Sequence, residues 1–90
     1  MIARRFLIRG IVQGVGFRYF AVRSAGTHQV FGYARNLPDG RVEVFAQGGE
    51  QAMKHFAEDL AAGPNGSRVD HVEETVLDTD RAYSTFRIES

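Results

Sequence analysis

Cysteine is absent from the 90-residue sequence. Disulfides, thiolate nucleophiles, zinc–thiolate centres and iron–sulfur clusters are therefore excluded. The same absence suits a reducing compartment, and a cytoplasmic location is the expectation. Long apolar runs are missing too: none reaches the roughly 18 residues of a membrane span, so no membrane association is expected. The opening MIARRFLIRG is short and interrupted by Arg9, which does not read as a signal peptide. Net charge is zero, with 11 basic and 11 acidic residues. That balance argues against nucleic acid as a partner.

What the chain does contain fits one globular domain over residues 1–90. It is 43% hydrophobic and 24% charged, close to globular averages, and its length leaves no room for a second domain. With no covalent cross-link, the packed core must supply the stability. The charge is unevenly placed. Residues 1–45 carry seven arginines against Asp39 and Glu43, a surplus of +5, whereas residues 46–90 carry four basic against nine acidic groups, −5. This asymmetry points to an anionic partner near the first half, although most of these arginines fit better as solvated residues on strand faces.

Apolar spacing divides the chain into elements. Arg4–Val12 reads as a strand, with Phe6 and Ile8 on one face and Leu7 and Ile11 nearer the other. Phe17–Thr27 reads as a helix through Phe17, Phe20, Ala21, Ser24 and Ala25, with Gly26 placed to end it. Val30–Leu37 and Arg41–Gln47 form a hairpin around the Pro38-Asp39-Gly40 turn, and the alternation in the second strand predicts that it is half-buried. Glu50–Ala62 is an amphipathic helix with a Met53, Phe56, Ala57, Leu60 and Ala61 stripe, which reads as core rather than as a cofactor box; Gly63-Pro64-Asn65-Gly66 stops it. Val69–Leu77 is a further strand and Phe86–Ile88 a short fifth candidate. The order β-α-β-β-α-β predicts an α+β, ferredoxin-like split βαβ sandwich, an antiparallel sheet with both helices on one face.

Chemistry concentrates in GIVQGVGFRY, Gly10–Tyr19. Three glycines precede a helix start, where the first amides lack internal partners and the helix dipole is positive. Such a loop can turn consecutive N–H groups onto an anion. Arg18, in the first helical turn, opposes the dipole, a conflict that a bound phosphate or carboxylate would resolve. The nucleotide motifs do not fit: Tyr19 stands where a dinucleotide fingerprint needs its third glycine, and no lysine follows as in a P-loop. Spacing alone leaves the loop equally compatible with a structural turn.

A second constellation is GYARNLPDGRVEV, Gly32–Val44, where Asn36 stands just before the turn. Asparagine there commonly caps a backbone group. Its neutral amide can also orient water without repelling a phosphate, as a carboxylate would.

Together, GIVQGVGFR and GYARNLPDGRVEV resemble the acylphosphatase family, small hydrolases of carboxyl–phosphate anhydrides, over nearly the whole chain. The resemblance implies a ferredoxin-like fold. It implies Arg18 as the substrate-binding catalytic arginine and Asn36 as the residue that positions the attacking water. The backbone amides of Gln13, Gly14, Val15, Gly16 and Phe17 match the phosphate cradle. Ala34 stands where larger apolar residues are common in the family. An acyl phosphate is the implied substrate and inorganic phosphate or sulfate the expected site-bound anion. No metal, cofactor or covalent intermediate is expected, and a monomer is anticipated.

Other readings fit the residues less well. His28, His55 and His71 are dispersed; His71 and Glu73, two apart on a strand, have a spacing that metal sites use but fit solvated side chains better. Glu73, Glu74, Asp78 and Asp80 read as an acidic surface. RNA-recognition domains share the element order, but RVEVFAQG lacks their aromatic signature. Acylphosphatase-like domains also occur inside larger maturation proteins with cysteine-rich zinc segments; the cysteine-free chain favours a free-standing enzyme.

Overall fold

The alternation of apolar and charged residues produces five strands, and two i, i+3, i+4 stripes produce two helices. The computed structural model describes residues 1–90 in the order β1 (Ile2–Ile11), α1 (Phe17–His28), β2 (Phe31–Asn36), β3 (Val42–Gly48), α2 (Glu50–Ala62), β4 (Arg68–Leu77) and β5 (Phe86–Glu89). The sheet runs β4-β1-β3-β2-β5. Neighbours β4/β1, β1/β3 and β3/β2 are antiparallel. The fifth strand departs from the expected antiparallel sheet: β5 lies parallel to β2. After β4 at one edge, the chain crosses the end of the sheet and enters the opposite edge in the direction of β2.

Both helices cover one face of the sheet. Phe17, Ala21 and Ala25 from α1 meet Met53, Phe56 and Leu60 from α2 over Phe6, Ile8, Ala34, Val42 and Val44 in one buried cluster. Each large side chain removed from water there stabilises the fold by roughly 1.5–3 kcal/mol. The helices are also tied by polar groups: Ser24 Oγ donates to Asp59 Oδ2 at 2.7 Å, and His28 Nε2 lies 3.0 Å from the same oxygen. The Ser24 hydrogen bond is the main reason the Asp59 carboxyl lies below its ordinary pKa, with His28 adding to it. Two of the histidines that are dispersed in sequence meet here, His28 stacking on His55 at 5.7 Å.

This tie also explains where α1 ends. Gly26 does not stop it. The helix runs to His28, whose ring reaches Asp59, and closes on Gln29 at φ 58° with the Gln29 N–H bonded to Ala25 O. Glycine within the last turn costs about 1 kcal/mol relative to alanine, and the helix nonetheless continues through it.

The expected half-burial of the second hairpin strand is corrected too: every residue of β3 is buried. It is the central strand, and its outer face is covered by side chains rather than helices. Tyr33, Phe45 and Tyr83 pack with centroids 5.4–6.0 Å apart. The crossing segment between β4 and β5 is held there by Gln47, whose Nε2 donates to Asp80 O and Tyr83 O while its Oε1 accepts from Asp80 N.

On the same face Glu43 accepts from Arg5 Nε at 2.8 Å, from Arg35 at 2.6 Å and from Tyr33 Oη at 3.2 Å. Burial pushes the Glu43 carboxyl up, but the Arg5 hydrogen bond and the Arg35 charge outweigh it and hold the group below its ordinary value. Burial and then Glu43 push the Tyr33 phenol up to about 12. A carboxyl depressed in the folded state contributes stability above its unfolded pKa and loses it as pH falls through the folded value. Glu43→Gln is therefore expected to lower stability by about 2 kcal/mol at pH 7. The gap should narrow in urea titrations below about pH 4; a gap that stays constant would contradict the assignment.

Candidate active site

The end of the sheet opposite the β4–β5 crossing gathers the C-termini of β1 and β2, the start of α1 and the β2–β3 turn. Val12 and Phe17, 1% and 2% exposed, anchor the two ends of the intervening loop in the core. Between them the chain must reverse. It does so through Gly14 at φ 75° and Gly16 at φ 78°. A Cβ added at either would meet no atom within 4 Å, so the backbone conformation rather than packing calls for glycine. Gly10 has a different role from the one its place in the motif suggests. It lies inside β1, and a Cβ there would collide with the Arg68 carbonyl of β4.

Gly16 precedes α1 without any side-chain cap. The first helical hydrogen bond runs from Phe20 N to Gly16 O at 3.0 Å. The N–H groups of Gln13, Gly14, Val15 and Gly16 donate to no carbonyl of the chain, and those of Phe17, Arg18 and Tyr19 precede that first bond. A run of unpaired donors is thus concentrated at the positive end of the α1 dipole.

Arg18 lies in the first turn of α1, half-buried. Arg4, Arg5, Arg35, Arg41, Arg68 and Arg87 are each paired with a carboxylate; Arg18 is not. Asn36 is the last residue of β2, opposite Val42. It stands two residues after the buried Ala34, on the same face of the strand, which directs it to the helix side of the sheet. The capping bond common for asparagine beside a turn is not made. The turn is closed instead by Asp39, which accepts from Arg41 N at 3.1 Å and Arg41 Nε at 2.8 Å.

Arg18 and Asn36 line one cleft of about 200 Å³ together with Val12, Gly14, Gly16, Phe17 and Tyr19. No carboxylate lines it. Of the loop residues singled out from the sequence, Gln13 and Val15 do not line this cleft. Val15 packs against the core, and the Gln13 side chain turns to the hairpin, where Nε2 donates to Leu37 O at 2.8 Å and Arg41 O at 2.9 Å. No local signal in the sequence marks this tie, because it joins residues 24 and 28 apart in the chain. A wider cleft of about 530 Å³ adjoins the first, sharing Gly16 and Tyr19 and adding Phe20, Arg23 and Asn65 among others.

The acylphosphatase family model matches residues 4–88, a span that contains both the glycine loop and Asn36. The chain belongs to the acylphosphatase family. An acylphosphatase of Solibacter usitatus is 48% identical over 86 residues, covering 96% of this chain and 88% of that protein. The crystal structure of acylphosphatase from Bacillus subtilis matches with a TM-score of 0.95 at 36% identity, covering all of both chains. HypF of T. kodakarensis matches with a TM-score of 0.87 at 35% identity, covering 100% of this chain but 12% of that longer one. The acylphosphatase fold therefore also stands as a small part of a longer protein. Family membership selects the hydrolase reading over the RNA-recognition reading that element order alone had left open.

Proposed function

We propose that the cleft between Arg18 and Asn36 is the active site of an acylphosphatase that hydrolyses the carboxyl–phosphate bond of small acyl phosphates to carboxylate and inorganic phosphate. The observation that carries this is the meeting of an unpaired guanidinium and an unpaired amide side chain beside a loop whose N–H groups have no acceptor in the chain. Amides from Gln13 to Phe17 hold the phosphoryl oxygens, and the Arg18 fork lies across them. Asn36 Oδ1 accepts a hydrogen from water and aims the water lone pair at phosphorus, in line with the acyl oxygen. The new P–O bond forms as the P–O(acyl) bond breaks, and the electron pair leaves on the carboxylate. With no carboxylate in the cleft to act as base, the water proton passes to a phosphoryl oxygen of the substrate. Because the carboxylate leaves readily, positioning and electrostatic stabilisation suffice for catalysis.

Every residue of this proposed site comes from one chain, so a monomer is sufficient, and the cysteine-free sequence supports a cytoplasmic setting. No helix is long and apolar enough to cross a membrane. The purified protein is expected to release phosphate from acetyl phosphate in excess EDTA, with competitive inhibition by inorganic phosphate. Absence of turnover, or turnover abolished by EDTA, would count against the mechanism.

A further inference from the structure

We propose that Gln13 is a positioning residue: its side chain sets where Asn36 stands relative to the amide loop. The inference rests on the reading of Asn36 given above. β1 pairs with the hairpin only as far as Ile8 opposite Val42. Beyond that point Arg9, Gly10 and Ile11 pair with β4 alone. The sheet ladder therefore does not fix the separation between the glycine loop and the end of β2. The two hydrogen bonds from Gln13 Nε2 to Leu37 O and Arg41 O are the hydrogen-bonded link between them.

The two acceptors bracket Asn36. Leu37 follows it in the chain, and Arg41 precedes Val42, its partner across the ladder. Both carbonyls already accept one turn amide, from Gly40 N and Leu37 N respectively. Gln13 supplies the second hydrogen to each. A primary amide is the neutral side chain that carries two N–H donors on one atom, so one residue can hold both sides of the turn without placing charge beside a phosphate. Since an in-line water tolerates little displacement, a clamp at this point acts on the chemical step rather than on binding of the phosphoryl group.

The test is a double-mutant cycle of Gln13→Met, which keeps the side-chain length and removes the donors, with Asn36→Ala. On acetyl phosphate, Gln13→Met is expected to lower kcat about tenfold, with the inhibition constant of inorganic phosphate within about threefold of wild type. In the Asn36→Ala background the same substitution should cost less than about twofold, because the group it positions is gone. Equal losses in both backgrounds, or an unchanged kcat in Gln13→Met, would overturn the inference while leaving the role of Asn36 intact. Full kcat in Asn36→Ala would overturn both. Should Gln13→Met not fold, Gln13→Leu, which is neutral and also lacks the donors, runs the same cycle with the same expected coupling.

Discussion

Arg18→Ala is expected to lower kcat/KM for acetyl phosphate by about 10⁴-fold and to remove inhibition by inorganic phosphate. The guanidinium is the one charged group in the cleft, and no carboxylate of the chain competes for it. In the proposed mechanism it acts on the phosphoryl oxygens in the ground state and more strongly as their charge redistributes in the transition state. Lysine keeps the charge but loses the planar fork, so Arg18→Lys should recover only part of the loss. Stability should move the other way. A cation in the first turn opposes the helix dipole, and its removal is expected to leave the fold unchanged or to stabilise it by up to about 0.5 kcal/mol. A variant that loses activity and melts earlier would instead make Arg18 a structural residue.

Asn36→Ala is expected to lower kcat by about 10³-fold while KM and phosphate inhibition stay close to wild type. Its side chain makes no hydrogen bond within the chain, so thermal stability should shift by less than about 0.5 kcal/mol equivalent. The two variants thus separate by kind. Loss of Arg18 should remove phosphate binding together with rate; loss of Asn36 should remove rate and keep binding. Steady-state kinetics with phosphate as competitor reads both. A parallel rise in the phosphate inhibition constant of Asn36→Ala would place that residue on the phosphoryl group instead of on the water.

The elements, and the two side chains that the proposed site rests on, are legible in the sequence because their signals are local. Stripes at i, i+3, i+4 and the Pro38-Asp39-Gly40 turn depend on neighbours in the chain, and Arg18 and Asn36 lie in short motifs. What escaped depends on partners far along the chain. β3 alternates like a half-buried strand, yet Arg5, Arg35 and the Tyr33–Tyr83 aromatic group cover its outer face. Gly26 looks like a helix stop, yet the His28–Asp59 contact carries α1 past it. Gly10 sits in the loop motif but serves the close approach of β4. The Gln13 tie spans 24 and 28 residues, and no periodicity in the sequence marks it.

Hydrolysis of acetyl phosphate in ¹⁸O-enriched water tests most directly whether the cleft delivers water to phosphorus. With the phosphoryl group in the amide cradle and water aimed by Asn36, each turnover should place one ¹⁸O in inorganic phosphate and none in acetate. Label found in the acetate would mean attack at the carbonyl carbon, contradicting the proposed roles of the loop, Arg18 and Asn36 together.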